Sequence, residues 1–247
     1  MKIVAILQAR MGSTRLPGKV LLPLAGKPML QNIIERVQRA TTIDVIVVTY
    51  PLGDGDVFVP ILEACRQRNE DGYATKFVHG NQWWDDPNDL VGRYLQAAIM
   101  HNADVIVRVP CDNPCVDPEY LDEAVRAYLR DPFIYYSNTT AHVGEIAVDG
   151  VGAEVFSLSR LKWLDQRVGD RADWREHPHR YFESCGLLSL PSAQLRLDVN
   201  TQEDYEYIRD LYDQFGSADF SSQQAVDYLL TKEAAHGEGI QSSRSID

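Results

Sequence analysis

The chain has 247 residues, of which 45% are hydrophobic and 24% charged, with a formal net charge of -12. This length suffices for one large core, and so acidic a surface repels nucleic acid and anionic lipid, which excludes both as partners. Without a membrane-length apolar stretch, a cleavable signal or a cysteine framework, we expect a cytoplasmic protein with reduced thiols.

Apolar runs rich in β-forming residues alternate with stretches of helical period in the first half of the chain. The runs lie at 3–7, 45–49, 77–79 and 105–109, and helices are predicted from Pro28, over 57–68 and over 88–101. This alternation is typical of a doubly wound α/β fold with a mostly parallel sheet.

The second half of the chain is less regular. Residues 131–156 form a largely polar excursion with strand-like runs at 133–136 and 153–156, which we interpret as an arm for a partner subunit or an acceptor. Helices are predicted over 159–168, 172–183 and 202–215, and strands over 187–190 and 194–199. We expect one domain over 1–232 and a frayed polar tail over 233–247.

A glycine-rich basic loop, QARMGSTRLPGKVLLPLAGK over residues 8–27, follows the first apolar run. Residues 1–40 hold seven cations against the single anion Glu35, a net +6, which leaves -18 on the remainder. A cationic region confined to one loop of an acidic protein indicates a small polyanionic ligand such as a nucleotide.

The loop fits neither standard phosphate-binding motif. Gly12 and Gly18-Lys19 are one residue too far apart for a P-loop, no Ser or Thr follows Lys19, and no G-x-G-x-x-G is present. Backbone N–H groups near Gly12 and Ser13 are predicted to form an anion site, with Arg10, Arg15 and Lys19 holding a triphosphate. The alternative is a solvated basic turn.

A single carboxylate follows the fourth apolar run, in the sequence RVPCDNP over residues 108–114. Asp112 is predicted to bind Mg²⁺ shared with phosphate oxygens, because it lies where open α/β sheets bind ligands. The alternative is that Asp112 caps the turn formed with Asn113 and Pro114. Cys111 and Cys115 are interpreted as small buried hydrophobes.

A second group of polar residues occurs in RLDVNT over residues 196–201. Asp198 and Asn200 share a strand face with Arg196, so this face is predicted to complete the Mg²⁺ site opposite Asp112. Thr201 is a suitable cap for the following helix. Polar residues on an exposed sheet edge are the alternative.

Two further groups give weaker signals. Asp89 and Arg93 are candidates for nucleotide binding, or alternatively form an ordinary i,i+4 ion pair. Arg175 and His177, in the REHPHR segment over 175–180, are candidates for contacting an anionic acceptor, or alternatively are surface charges.

The sequence QARMGSTRLPGKVLLPLAGKPML resembles the signature of cytidylyltransferases related to CMP-KDO synthetase and acylneuraminate cytidylyltransferase, with the spore-coat-polysaccharide type as the nearest branch. Further similarity lies in NDLVGRYLQAA, RVPCDNPCVDPEYLD, GAEVFSLSRL, REHPHRYF and DVNTQEDYEYI, so that it covers roughly residues 1–212.

The resemblance implies a Rossmann-like nucleotidyltransferase fold, a homodimer and transfer of CMP from CTP to a sugar or small acidic acceptor. The residues that would bind the nucleotide are Leu7, Ala9, Arg10, Gly12, Ser13, Arg15 and Lys19. Glu154 of the GAEVFSLSRL segment is a candidate for the acceptor. The catalytic positions of the family match Arg15, Lys19 and Asp112. The second metal position, Asp in a V-D-T sequence, is Asn200 here.

The sequence therefore predicts a magnesium-dependent cytidylyltransferase that releases pyrophosphate, for cell-surface polysaccharide biosynthesis. Two alternatives stay open. One is a nucleotidyltransferase that uses another nucleoside triphosphate, because loop charge does not select a base. The other is a catalytically weak nucleotide-sugar-binding protein, which the substitution at Asn200 would allow.

Overall fold

The computed structural model describes residues 1–67, 77–83, 86, 88–132, 135–137, 148–176, 184–186 and 195–236. The candidate residue His177, the predicted strand 187–190, the middle of the predicted excursion and the tail beyond 236 lie outside these ranges.

Seven of the strands form one mixed sheet in the order β5-β4-β1-β6-β8-β7-β9. The strands are β1 Ile3–Gln8, β2 Pro23–Leu24, β3 Lys27–Pro28, β4 Val45–Pro51, β5 Phe77–Trp83, β6 Val105–Pro110, β7 Tyr135–Ser137, β8 Glu154–Ser157 and β9 Ser184–Gly186. Strands β5, β4, β1 and β6 are parallel, β8 is antiparallel to β6 and β7, and β9 is parallel to β7. The predicted mostly parallel mixed sheet is confirmed.

The helices cover both faces of this sheet. They are α1 Met29–Arg39, α2 Gly55–Gln67, α3 Leu90–Met100, α4 Pro118–Arg130, α5 Leu158–Val168, α6 Ala172–Glu176, α7 Gln202–Phe215 and α8 Ser222–His236. One core cluster joins α1, α2, α4, α7 and α8 to one face, and a second joins α3 and α5 to the other. Strand β1 is buried on both faces, which explains its uninterrupted apolar sequence.

The irregular second half of the chain adds to the main sheet. Within the predicted excursion, β7 and β8 extend the sheet beyond β6. Helices α4 and α8 were not predicted, and α8 continues into the segment expected to be a polar tail. The strand predicted over 194–199 is wrong, because residues 195–199 form only an isolated bridge between Arg196 and Asp149.

Asp117 joins these two helices. Its carboxylate accepts a hydrogen bond from Glu119 N at the start of α4 and two from the backbone N and Oγ of Ser222 at the start of α8. One buried carboxylate therefore satisfies the first backbone donors of two helices and fixes α8 against the domain.

Among the described residues, no helix combines the length and the apolar character that crossing a membrane would require.

Candidate active site

A cleft opens at the carboxyl ends of β1 and β6, where parallel α/β sheets bind ligands. It is lined by Gln8, Arg10, Ser13, Thr14, Arg15, Lys19, Val20, Asn88, Leu90, Arg93, Cys111, Asp112, Glu176 and Asn200. The structure thus brings the predicted loop cations together with two of the predicted metal ligands, Asp112 and Asn200.

The basic loop is held by its own backbone. Met11 O accepts hydrogen bonds from Ser13 N at 3.0 Å and Gly18 N at 3.0 Å, and Ser13 Oγ accepts one from Leu16 N. Gly18 has a φ of 70°, a left-handed conformation that favours glycine, and it starts the short 3₁₀ turn Lys19–Leu21. The loop is therefore preformed. Its Ser13 N–H is engaged internally, contrary to the predicted anion site at this group.

Lys19 lies at the centre of the cleft and donates to three oxygen atoms. Its Nζ is 3.1 Å from Asp112 Oδ2, 2.6 Å from Val199 O and 3.2 Å from Asn200 Oδ1. The lysine side chain is only 12% exposed. The ammonium group thus bridges the two predicted metal ligands.

Asp112 and Asn200 are fixed relative to each other by the backbone. Asp112 O accepts a hydrogen bond from Val199 N at 2.7 Å. The carboxylate of Asp112 contacts Lys19 and does not cap the turn formed with Asn113, so that alternative is wrong. Asp204 Oδ2 accepts from the backbone N of Asn200 and Thr201 as part of the capping box that starts α7, which confirms Thr201 as a cap.

The side chain of Asn200 links the loop to a buried ion pair. Its Oδ1 accepts from Arg15 Nη2 at 2.9 Å, and its Nδ2 donates to Asp198 Oδ2. Arg196 donates two hydrogen bonds of 3.0 and 2.8 Å to the carboxylate of Asp198, and it also lies 3.6 Å from Asp149. Asp198 is 7% and Asn200 9% exposed, so the alternative of an exposed sheet edge is wrong.

Burial raises the pKa of Asp198, although the hydrogen bonds from Arg196 act to lower it. Both oxygen atoms of this carboxylate are engaged by Arg196, and Asn200 contacts one of them. These contacts suit Asp198 to orienting Asn200, and its role as a metal ligand stays a prediction.

Arg93 is fully buried beneath the cleft and supports the end of β1. Its Nη2 donates to Ala9 O at 3.0 Å and Thr49 O at 2.8 Å, while Ala9 N donates to Thr49 O. Burial lowers its pKa. Leu7 is buried in the core, so the cleft surface at this point is formed by Gln8 and Arg93.

Asp89 forms its ion pair with Arg175 and not with Arg93, the partner that i,i+4 spacing suggested. It caps α3 by accepting from Gly92 N, and it forms two hydrogen bonds of 2.7 and 3.0 Å with Arg175. Arg175 also contacts Asp165 at 2.8 Å. Although burial acts to lower the pKa of Arg175, its hydrogen bonds to the two carboxylates raise it. Arg175 therefore ties α6 to α3 and α5.

Glu154 lies at the start of β8, opposite Arg108 in β6, and the two form a buried ion pair. It is 3% exposed and is not among the residues that line the cleft. Its predicted contact with an acceptor is therefore not supported by this geometry.

Comparisons with known proteins identify the family of the chain. The family model of the cytidylyltransferases matches residues 4–49 and 91–233. The chain belongs to the cytidylyltransferase family.

Several relatives are similar over most of the chain. The spore coat polysaccharide biosynthesis protein SpsF of Bacillus subtilis is 31% identical over 241 residues, covering 92% of this chain and 93% of that protein. The 3-deoxy-manno-octulosonate cytidylyltransferase of Trichlorobacter lovleyi is 35% identical over 208 residues, covering 79% and 74%. A solved cytidylyltransferase structure from Leptospira borgpetersenii serovar Hardjo-bovis has a TM-score of 0.79 with 27% identity, and the match covers 100% of both chains.

Three oxygen atoms in the cleft of this cytidylyltransferase are suitable ligands for a magnesium ion that binds together with a nucleotide. Asp112 offers a carboxylate, Asn200 an amide oxygen and Val199 a carbonyl oxygen. Mg²⁺ is usually bound through one or two carboxylates together with substrate phosphates and water. Within the described ranges, no group of three or more His, Cys, Asp or Glu side chains forms a metal site. The residues therefore fit a shared ion better than one held by protein alone.

Sequence reasoning missed several residues of the cleft. Gln8 ends β1 and Cys111 directly follows β6. Because ligands bind at the carboxyl ends of parallel strands, these positions could have identified both as cleft residues. Asn88, just before α3, accepts a hydrogen bond from Arg10 Nη1, and Glu176 reaches the cleft from α6. No local motif marks these two residues. Cys111 and Cys115 are buried as predicted, and burial raises the pKa of both thiols, that of Cys115 to about 12.

Proposed function

We propose that this cytidylyltransferase transfers CMP from CTP to a sugar acid or a related small acidic or phosphorylated substrate, with release of pyrophosphate. The observation that carries the proposal is the convergence of Arg10, Arg15 and Lys19 on one cleft that also holds Asp112 and Asn200.

The partners of the two arginines favour an anionic ligand. Arg10 donates to the amide oxygen of Asn88, and Arg15 donates to that of Asn200. Neither contact neutralises a guanidinium charge. Four cations, Arg10, Arg15, Lys19 and Arg93, line the cleft against the two carboxylates of Asp112 and Glu176. Within the described part of the chain, neither Arg10 nor Arg15 has to leave an ion pair to form charge-assisted hydrogen bonds with a phosphate.

Transfer of a nucleotidyl group from CTP to an acceptor requires positioning of the reactants and neutralisation of charge. It does not require a nucleophile from the protein. An oxygen of the acceptor would attack the α-phosphorus of CTP in line, with pyrophosphate leaving. Arg15 and Lys19 would balance the charge that develops on pyrophosphate. Asp112 and Asn200 would hold Mg²⁺, which neutralises phosphate oxygens when it is bound.

The acceptor and the assembly are part of the same proposal. The names of the relatives from Trichlorobacter lovleyi and Bacillus subtilis point to a sugar acid and to polysaccharide biosynthesis. A homodimer with a contribution from residues 131–156 remains our prediction from the sequence.

The test is pyrophosphate release with CTP and a panel of sugar acids. We expect Lys19→Ala and Asp112→Ala each to lose most turnover while remaining folded. Lys27→Ala is the matched control, because Lys27 pairs with Glu35 beyond the cleft lining. Full activity of either cleft variant would remove that residue from the mechanism.

The substitution at Asn200 keeps a second candidate function open, a nucleotide-sugar-binding protein with weak turnover. Thermal-shift measurements with CTP, UTP, GTP and ATP plus magnesium identify the nucleotide. Binding without pyrophosphate release from any acceptor would favour the second candidate. If the protein prefers another nucleoside triphosphate, that nucleotide replaces CTP as the proposed donor substrate.

A further inference from the structure

We propose that Lys19 excludes free divalent cations from the cleft until a nucleotide draws its ammonium group away. The inference rests on the proposed function and concerns three oxygen atoms, Asp112 Oδ2, Val199 O and Asn200 Oδ1, here called the three-oxygen site. It makes Lys19 a residue that sets the order in which metal and nucleotide bind.

The ammonium group of Lys19 occupies the three-oxygen site. A lysine ammonium has three N–H donors, and Lys19 has three acceptors at 3.1, 2.6 and 3.2 Å. A magnesium ion would need the same oxygens at roughly 2.0–2.1 Å. The lysine and the ion therefore compete for one position.

The charges around the three-oxygen site oppose a free divalent cation. Asp112 is its only carboxylate, and the charge of Lys19 already balances it. Arg15 adds a second cation on the Asn200 oxygen. Of the charged groups that contact these three oxygens or contribute one of them, two are positive and one is negative. The neighbouring carboxylate of Asp198 is bound by Arg196. An aspartate at position 200 would add a second negative group, so the asparagine strengthens the exclusion.

A triphosphate changes this balance. Its oxygens are charged acceptors, which form stronger hydrogen bonds with an ammonium group than the carbonyl and amide oxygens of Val199 and Asn200. When Lys19 turns to the phosphates, Asp112 is left without its cation while the phosphates bring further oxygen ligands. Nucleotide and metal should thus increase each other's affinity reciprocally.

The experiment measures binding of Mn²⁺ to the folded protein by electron paramagnetic resonance, with no nucleotide present. We expect no site at Asp112 in the wild type and one additional site in Lys19→Met, at least tenfold tighter than any wild-type binding. Lys19→Met/Asp112→Asn should lose that additional site, which separates it from weak binding to the acidic surface. Lys27→Met should match the wild type.

Equal Mn²⁺ binding by the wild type and Lys19→Met would overturn the inference. So would a site that Asp112→Asn leaves intact in the Lys19→Met background. Circular dichroism spectra confirm that each variant is folded before binding is measured.

Calorimetry with CTP separates this inference from the proposed function. If the wild type binds CTP but Lys19→Met gains no Mn²⁺ site, the inference fails and the function stands. If Lys19→Met gains the site but the wild type binds no nucleoside triphosphate, exclusion by Lys19 stands and the proposed function fails.

Discussion

Asp198 determines which way the side-chain amide of Asn200 faces. The Nδ2 of Asn200 donates to Asp198 Oδ2, so that Oδ1 faces Arg15 and Lys19. The two ends of an amide have nearly the same shape but opposite hydrogen-bonding character. A reversed Asn200 would present N–H donors to two cations, and the buried carboxylate behind it prevents that arrangement.

Asp198→Asn should therefore reduce kcat by about tenfold, which corresponds to roughly 1.4 kcal/mol in the activation free energy. The new amide has one acceptor oxygen, for which Arg196 competes with Asn200, and its own N–H₂ would favour the reversed Asn200. The measurement is pyrophosphate release over a range of magnesium concentrations. Wild-type kcat in a folded Asp198→Asn variant would contradict this orienting role.

Asn200→Asp tests the same contact from the other side. The change places two carboxylates in direct contact at a site where Asp198 is already buried, and like charges there are destabilising. We expect the free energy of unfolding to fall by about 1–2 kcal/mol, within the range of single substitutions. Urea denaturation measures this loss.

The exchange variant Asp198→Asn/Asn200→Asp is the control. It moves the single carboxylate from behind the cleft to its surface, so we expect it to recover most of the lost stability. Because a carboxylate has no donor end, Asp198→Asn should also cost less activity in this background. An exchange variant as unstable as Asn200→Asp would show that charge contact is not the cause.

The parts of the fold that could be predicted are those where one local pattern determines the structure. Strand β1 is buried on both faces and has a continuous apolar sequence, and Thr201 caps α7 as its sequence suggested. The site was predictable as far as strand ends locate residues, which placed Asp112 just past the end of β6.

Partner choice could not be predicted, because it depends on contacts distant in sequence. Spacing shows that Asp89 and Arg93 share a helix face, but not that backbone oxygens of the sheet lie beside Arg93 or that Arg175 reaches Asp89. Likewise, the two-residue spacing indicated that Asp198 and Asn200 lie close together, although they are not in a strand. That Arg196 binds both carboxylate oxygens of Asp198 is visible only in the structure.

Arg175→Lys should raise the KM for at least one substrate by several-fold with a smaller change in kcat. Arg175 holds Asp89 with two parallel hydrogen bonds and reaches Asp165 as well, a geometry that lysine cannot reproduce. Its loss should loosen α6 and displace Glu176 at the cleft. Steady-state kinetics with each substrate varied in turn measure the effect, and unchanged KM values for both would refute it.

Arg36→Met should lower the free energy of unfolding by about 3 kcal/mol, because it leaves buried carbonyl oxygens without their hydrogen-bond donor. Arg36 is fully buried, donates to three backbone carbonyls and lies 4.5 Å from the centre of the Phe220 ring. Arg39→Met, on the same helix, removes an ion pair with the exposed Asp219 and one hydrogen bond to Ala218 O, and should cost less. Equal losses in chemical denaturation would contradict this ranking.

The free energy of unfolding should decrease as the pH falls below about 6.5, because two histidines face each other at the side of the sheet. The rings of His79 and His101 are 4.8 Å apart. Burial, with Arg66 and Lys2 nearby, lowers the pKa of His79 from 6.5. Burial and the neighbouring His79 lower that of His101 from the same value.

The direction of this pH dependence follows from proton binding. Between the lowered pKa values and 6.5 the unfolded chain binds more protons than the folded protein, so stability rises with pH across that window and is lost towards acid. Urea denaturation at pH 7.5 and 5.5 should show the loss. His101→Gln removes one titrating group and relieves the other, so its stability should change less between the two pH values. A difference as large as that of the wild type would assign the acid sensitivity to other groups.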